Sequence, residues 1–188
     1  SGGPANGVPV RCQLETRRSH TATVIIEKKG VVGMPMRLGT PLPALEGETG
    51  YLNGRVTRED LLGSPTLIHF WAVSCHICHE TMPEVMKYKR ELEPLGLKVV
   101  AVHMPRLESD TDVEKVKQDV ERFAMDQPVL LDHQHRIAQA FQNEYVPAFY
   151  VFNAQGELRF RAAGGKGFAK VREKLLEVLG TGNPTEGG

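Results

Sequence analysis

The chain has 188 residues, 40% of them hydrophobic, and its 23 lysines and arginines balance its 23 aspartates and glutamates. A chain of this size can bury a full core as one domain, and a formal charge of zero provides no basic patch for nucleic acid or an anionic membrane. Three cysteines are too few for a disulfide-rich secreted scaffold. The sequence also contains no stretch apolar and long enough to cross a bilayer or to form the core of a signal peptide.

The hydrophobic pattern predicts an alternation of strands and helices along the chain. Predicted strands lie at residues 55–57, 66–72, 97–103, 128–131, 146–152 and 157–163, and 21–27 is a candidate edge strand. Predicted helices lie at residues 59–62, from Cys75 to about Glu93, and at 111–125, 135–142 and 167–179. The composition of the ends favours a division into an N-terminal extension (1–35), one domain (36–180) and a flexible tail (181–188).

Two cysteines, Cys75 and Cys78, lie where the apolar strand 66–72 gives way to a helix. At a helix N-terminus, unpaired N–H groups and the positive end of the helix dipole stabilise a thiolate, so we expect a lowered pKa for Cys75. Positions i and i+3 are roughly 5–6 Å apart between Cβ atoms, so the two sulfurs can bond to each other. The pattern predicts that Cys75, the more exposed thiol, attacks a substrate disulfide and that Cys78, one turn deeper, releases it.

Other roles for these cysteines remain open on the motif alone. The residues from Cys75 to His79 fit C-x-x-C-H, the attachment signature of c-type haem, although a haem site does not need the preceding Phe-Trp strand. Zinc is a second alternative, because four histidines lie near the cysteines in the sequence, but a second ligand pair at matching spacing is not evident. These histidines are His69, His76, His79 and His103. A purely structural disulfide is the third, and one that closes so short a loop contributes little stability.

Several separated motifs resemble the thioredoxin superfamily, most specifically its TlpA and ResA branch. Phe70-Trp71-Ala72 followed by Cys75 and Cys78 matches F-W-A-x-x-C-x-x-C, and Pro83 matches the proline that kinks the first long helix. Further matches are Asn53-Gly54-Arg55, Leu61 and Gly63 upstream, and Val146-Pro147 before the strand 148–151 downstream.

The resemblance covers about residues 36–179 and implies an α/β thioredoxin fold, a central mixed β-sheet flanked by helices. It also implies a TlpA-like αβ insertion, for which 128–131 and 135–142 are the candidates. The family pattern implies that Pro147 is cis and faces the dithiol. It further implies that the Val146 backbone pairs with bound substrate peptide as an added strand.

The chain departs from the family pattern around the cysteines. His76-Ile77 separates them, where thioredoxin has Gly-Pro, and a protonated His76 would stabilise the Cys75 thiolate. His69 stands where thioredoxin carries a buried acid, so it is either a general base for Cys78 or a core histidine.

Smaller departures concern other polar side chains. ResA-like proteins often have a glutamate three residues after the second cysteine, but here that position is Thr81, with Glu80 beside it. Glu80, and Trp71 from the matched motif, are candidates for residues that support the cysteine pair. His103, His133 and His135 are expected to be solvated or capping residues.

The resemblance implies a thiol-disulfide oxidoreductase that exchanges disulfides with protein substrates and receives electrons from an upstream thiol donor. We expect a reductase, but a protonated His76 would make the disulfide more oxidising, so the sequence leaves the direction of the reaction open. We expect a monomer without cofactor or bound metal. The alternatives are a haem- or metal-handling thioredoxin-like module and a peroxiredoxin-type peroxidase. The peroxidase would need Pro-x-x-x-Thr/Ser-x-x-Cys, and Ala72 occupies its Thr/Ser position. A native start at Met34 or Met36 favours the cytoplasm, whereas a removed signal would place the protein outside; Cys12 is expected to be an incidental thiol.

Overall fold

The structure, a computed structural model, describes residues 35–180. The predictions for Cys12, for a strand at 21–27 and for the tail 181–188 lie outside these residues, as does the predicted N-terminal extension apart from its last residue. The division of the chain into domains stays a prediction. Within residues 35–180, none of the helices has the length and apolar character required of a membrane span.

The described residues form one six-stranded mixed sheet in the order β1-β4-β3-β2-β5-β6. β2 pairs in parallel with β3, and β3 with β4, whereas the pairs β1–β4, β2–β5 and β5–β6 are antiparallel. The strands are β1 (Gly50–Leu52), β2 (Thr66–Trp71), β3 (Lys98–His103), β4 (Val129–Leu131), β5 (Ala148–Phe152) and β6 (Leu158–Ala163). The predicted α/β class is confirmed.

Helices cover both faces of this sheet, which explains why every residue of β2 is buried. The helices are α1 (Arg58–Leu61), α2 (His76–Leu92), α3 (Val113–Arg122), α4 (Arg136–Ala140), α5 (Gly164–Phe168) and α6 (Val171–Val178). Leu67 and Trp71 face a core shared with α2, α3, α5 and α6, whereas Ile68 and Phe70 face a core shared with α1 and α4.

The prediction of a strand at 55–57 is wrong. The first strand of the described residues is β1, which ends three residues earlier. Asn53 and Gly54 both have positive φ, 59° and 99°, and turn the chain out of β1. The Asn53 side chain holds that turn by donating to the carbonyl oxygens of Met125 and Gln127 at 2.8 and 3.0 Å. The following Thr57 already caps α1, so 55–57 is a connection.

The prediction of a single C-terminal helix at 167–179 is also wrong, because the described chain forms two short helices there, α5 and α6. The corner between them follows Phe168, whose ring packs against Tyr88 and Phe149 with centroids 5.4 and 4.9 Å apart. Anchoring this ring in the core beside α2 and β5 fixes where α5 ends. The helical periodicity continues through the corner and does not reveal the break.

The ends of α3 and α4 lie inside the bounds predicted from periodicity. The carboxylate of Asp112 caps α3 by accepting from the Glu114 N–H, and Ala124, with φ of 52°, follows its end. Gln142, with φ of 51°, likewise follows α4. The strand and helix predicted as the insertion are present as β4 and α4, and β4 lies between β1 and β3 in the sheet.

Candidate active site

The two motif cysteines, Cys75 and Cys78, are joined by a disulfide bond, with their Cα atoms 5.2 Å apart. Cys75 is the N-cap residue of α2, and its sulfur accepts a hydrogen bond from the Cys78 N–H at 3.1 Å. That N–H belongs to the first turn of the helix, where backbone donors have no partner within the helix. The predicted placement of Cys75 at a helix N-terminus is confirmed, and the same N–H would stabilise its thiolate after reduction.

Both cysteines are buried in this oxidised form, with Cys75 3% exposed and Cys78 1% exposed. Cys75 is the more exposed of the two, as predicted, but the difference in exposed fraction is small. The surface beside them is formed instead by the residues between them, His76 and Ile77, and the apolar Ile77 side chain is 45% exposed. A substrate therefore meets the dithiol at a partly apolar surface.

The peptide bond between Val146 and Pro147 is cis, as the family resemblance implied. Pro147 lies across the dithiol because β2 and β5 are antiparallel, with Phe70 opposite Ala148, so the start of β5 lies beside the end of β2. The Pro147 carbonyl already accepts from the Gly164 N–H at 2.8 Å. Val146 is half-buried, and its backbone polar groups form no hydrogen bond with other described residues.

Beside the disulfide lies a narrow crevice with no room for a water molecule. His69, Trp71, Cys78 and Pro147 line it together with Phe70, Thr81, Met82, Val85 and Phe149. The structure thus brings three of the predicted site residues into contact with the same space as Cys78.

His69 is 1% exposed and accepts a hydrogen bond at Nε2 from the Gln127 side-chain amide, 3.1 Å away. Burial lowers the pKa of its imidazole to about 4. An ordinary thiol has a pKa of about 8.5, so moving its proton to this imidazole would be uphill by about 6 kcal/mol. Of the two roles left open by the sequence, the geometry favours a hydrogen-bonded core histidine that forms a neutral polar wall beside Cys78.

Trp71 packs beneath the dithiol and is 1% exposed. Its indole meets the imidazole of His103 edge-on, with ring centroids 5.0 Å apart, because the parallel register sets these residues side by side on β2 and β3. The buried indole Nε1 has no hydrogen-bond partner within the described part of the chain. Trp71 therefore contributes to the site through the shape of its ring and its apolar contacts.

His76 and Glu80 form an ion pair on the outer surface of α2, with Nε2 and Oε1 2.9 Å apart. Their side chains are 85% and 62% exposed. When the imidazole is protonated, the adjacent carboxylate offsets the charge that it would present to Cys75. A stabilising effect of His76 on the Cys75 thiolate stays a prediction, and the structure shows that Glu80 opposes it.

The histidine that completes the haem signature, His79, donates to Asp119 Oδ2 at 2.7 Å and so ties α2 to α3. In this structure the three side chains of the haem signature are therefore engaged with protein partners, the imidazole with a carboxylate and the two cysteines with each other. Across residues 35–180, no cluster of three or more His, Cys, Asp or Glu residues is placed to hold a metal ion.

Sequence reasoning missed the residues that hold the turn just before Cys75. His103, expected to be solvated or capping, is wholly buried and accepts a hydrogen bond at Nε2 from the Val73 N–H at 3.2 Å. Ser74 Oγ donates to Asp110 Oδ2 at 2.8 Å, and Arg106 Nη2 donates to the Ser74 carbonyl at 2.7 Å. These partners lie about thirty residues further along the chain, and no spacing in the sequence signals them.

The sequence profile described as the AhpC/TSA family matches residues 38–161. The chain belongs to the AhpC/TSA family. Thiol-disulfide oxidoreductase YkuV of Bacillus subtilis is 48% identical to this chain over 145 residues, which cover 77% of this chain and 97% of that relative. Thiol-disulfide oxidoreductase ResA of Geobacillus thermodenitrificans is 28% identical over 132 residues, covering 68% of this chain and 71% of the relative.

A solved structure supports the predicted thioredoxin fold. The solution structure of a thioredoxin-like protein in the oxidised form superposes with a TM-score of 0.73 at 46% identity, covering 79% of this chain and all of the other. The predicted thioredoxin fold and the resemblance to the ResA branch are therefore confirmed.

Proposed function

We propose that this thiol-disulfide oxidoreductase reduces disulfides of protein substrates, with Cys75 as the nucleophile and Cys78 as the resolving thiol. The observation that carries this proposal is the Cys75 sulfur at the N-cap of α2, accepting the Cys78 N–H and bonded to the Cys78 sulfur. A sulfur in this position is held where its thiolate is favoured and where a second thiol can displace whatever is bound to it.

The reaction begins from the reduced protein, in which the Cys75 thiolate attacks one sulfur of the substrate disulfide. The substrate S–S bond breaks, and its other sulfur leaves with the electron pair and takes a proton. Cys78, after giving its proton to solvent, attacks the Cys75 sulfur and displaces the second substrate sulfur. The substrate has then gained two electrons and two protons, and the protein holds the Cys75–Cys78 disulfide. A thiol donor returns two electrons and restores the dithiol.

Two features of the surface beside the dithiol suit a protein substrate. The unpaired backbone groups of Val146 can accept an extended peptide as an added strand. Ile77, which is 45% exposed, and Tyr145, which is 67% exposed, supply apolar contacts on the two segments that meet there. In this arrangement Pro147 shapes the groove, and His69 and Trp71 form the floor beneath Cys78.

Cysteine variants test the assignment of roles. In a disulfide-reduction assay on insulin with dithiothreitol as the donor, Cys75→Ser should abolish the catalysed rate. Cys78→Ser should accumulate mixed disulfides between Cys75 and the substrate, visible on a non-reducing gel. Cys12→Ser is the matched control and should retain the full rate. Full activity of the Cys75→Ser variant would refute the mechanism.

The direction of the reaction is tested by the equilibrium reduction potential of the Cys75/Cys78 pair. A reductase should have a potential near about −270 mV, as in thioredoxin, whereas an oxidant such as DsbA lies near about −120 mV. A measured value near the second figure would overturn the proposed direction and leave the exchange chemistry intact. Gel filtration tests the accompanying proposal that the protein is a monomer.

A further inference from the structure

We propose that His103, Arg106 and Asp110, together called the turn clamp, are positioning residues that hold the turn before Cys75 and thereby set the reactivity of its sulfur. The inference rests on the proposed function of Cys75 as the nucleophile. None of the three is in the cysteine motif, and they act through the backbone and side chain of the two residues before the nucleophile.

The first contact of the clamp fixes the backbone of Val73. Its N–H donates to His103 Nε2 at 3.2 Å, and the chain then closes into a turn in which the Cys75 N–H donates to the Ala72 carbonyl at 3.0 Å. An imidazole nitrogen accepts a hydrogen bond only while it is unprotonated. Burial, with a smaller effect from His133, lowers the pKa of His103 to about 4, so the acceptor persists at neutral pH.

The second and third contacts fix Ser74, the residue next to the nucleophile. Its hydroxyl donates to Asp110 Oδ2 at 2.8 Å, and its carbonyl accepts from Arg106 Nη2 at 2.7 Å. Arg106 Nε and Nη2 also lie 3.3 Å from the Ser74 hydroxyl oxygen. Both the side chain and the carbonyl of Ser74 are therefore held by charged groups, which form stronger hydrogen bonds than neutral ones.

Asp110 is the clamp residue that is most firmly held, because it is buried and accepts several hydrogen bonds. Asp110 is 2% exposed, and its Oδ2 also accepts from the N–H groups of Arg106 and Leu107 at 2.8 and 3.1 Å. Burial raises the pKa of this carboxyl, but these bonds and the one from Ser74 lower it by more, so it is ionised at neutral pH. On the far side, His135 Nε2 donates to the Pro105 carbonyl at 2.6 Å.

The position of Cys75 depends on this turn. Its sulfur meets the Cys78 N–H because Cys75 is held in an extended conformation, with φ of −93° and ψ of 105°, directly after Ser74. If Ser74 is released, Cys75 samples other conformations and its thiolate loses that donor for part of the time. A less stabilised thiolate has a higher pKa and is a smaller fraction of the thiol at neutral pH.

The test uses variants of the clamp in a Cys12→Ser/Cys78→Ser background, where Cys75 is the remaining thiol. The rate of alkylation by iodoacetamide is measured as a function of pH. Ser74→Ala and Arg106→Gln should slow alkylation at pH 6 by about three- to tenfold and raise the pKa of Cys75, the factor expected from one lost hydrogen bond. Ser74→Thr keeps the hydroxyl and should restore the wild-type rate to within about twofold. Arg159→Gln removes a similarly exposed arginine that pairs with Glu157, away from the dithiol, and is the matched control.

The reduction potential provides a second readout, measured with both motif cysteines present. Because the clamp stabilises the reduced form, Ser74→Ala and Arg106→Gln should make the potential more negative, by about 30 mV for a tenfold effect. The inference is overturned if both variants keep the native circular dichroism spectrum together with the wild-type potential and Cys75 pKa. It is also overturned if Ser74→Thr behaves like Ser74→Ala. Failure of the proposed function is distinguishable, because the wild-type pair would then show no reversible two-electron transition.

Discussion

Acid should destabilise the protein through two buried imidazoles, those of His69 and His103. Burial lowers the pKa of each to about 4 in the folded state, against about 6.5 for the exposed side chain in the unfolded chain. The unfolded state therefore binds protons at a pH where the folded state does not. The stability that these groups provide is complete above pH 6.5 and is lost as the pH falls from 6.5 towards 4.

The size of this effect follows from the two pKa values of each group. At pH 5, protonation favours the unfolded state by about 2 kcal/mol for each histidine, or about 4 kcal/mol for the pair, relative to pH 8. A domain of this size has a total stability of roughly 5–15 kcal/mol, so the loss is large. Carboxyls with lowered pKa values, such as Asp110 and Asp126, lose their contribution only at lower pH. The interval from pH 8 to 5 therefore isolates the histidines.

Urea denaturation of the oxidised protein at pH 8, 6.5 and 5 measures this loss. The variant His69→Leu removes one of the two titrating groups from a site that is already apolar on most sides. Its stability should fall by about 2 kcal/mol less than that of the wild type between pH 8 and 5. His76→Ala, at an exposed position, should follow the wild type. A wild-type stability that is constant from pH 8 to 5, or an undiminished fall in His69→Leu, would refute the reasoning.

Further predictions concern stability at neutral pH and are measured by the same denaturation. Phe141→Ala should cost about 3–5 kcal/mol, because the wholly buried ring packs against three other aromatic rings, and Phe141→Leu should cost much less. Gly156→Ala should cost about 1–3 kcal/mol, since φ is 75° and a Cβ would lie 2.6 Å from Leu62 Cδ2; a neutral effect would contradict this turn. Asp132→Ala should cost about 1–3 kcal/mol, because it removes the acceptor of two N–H groups at the start of α4, and Asp132→Asn should recover part of that loss.

The parts of the fold that the sequence predicts are those whose residues satisfy a local pattern. The strand at 66–72 is a continuous apolar run that ends at the cysteines, and the structure has β2 at Thr66–Trp71. β1 was not predicted because its three residues, from Gly50 to Leu52, are defined by antiparallel pairing with β4, about eighty residues away. The corner after Phe168 depends likewise on where one ring fits in the core.

The residues of the site also divide into those that a local motif predicts and those that depend on long-range contacts. Cys75, Cys78 and Pro147 follow from short motifs, and the structure brings all three together. The contacts of Ser74 with Asp110 and of Val73 with His103 span 36 and 30 residues, so they exist only after β3 has paired with β2. A histidine at a strand end is usually solvated, but the parallel register places His103 against Trp71 and buries it, and this register cannot be seen in the sequence.

The antiparallel pairing of β2 with β5 separates two properties of the protein, the oxidation state of its cysteine pair and its ability to bind a substrate. Cys75 and Cys78 are three residues apart, so their disulfide can form in any chain that bends locally, folded or not. The groove beside them needs Pro147, about seventy residues further on, and is absent until β5 has docked along β2. A thiol titration therefore reports whether the pair is oxidised, and it reports nothing about whether the chain can recognise a partner. Only a measurement of substrate binding reveals that second property.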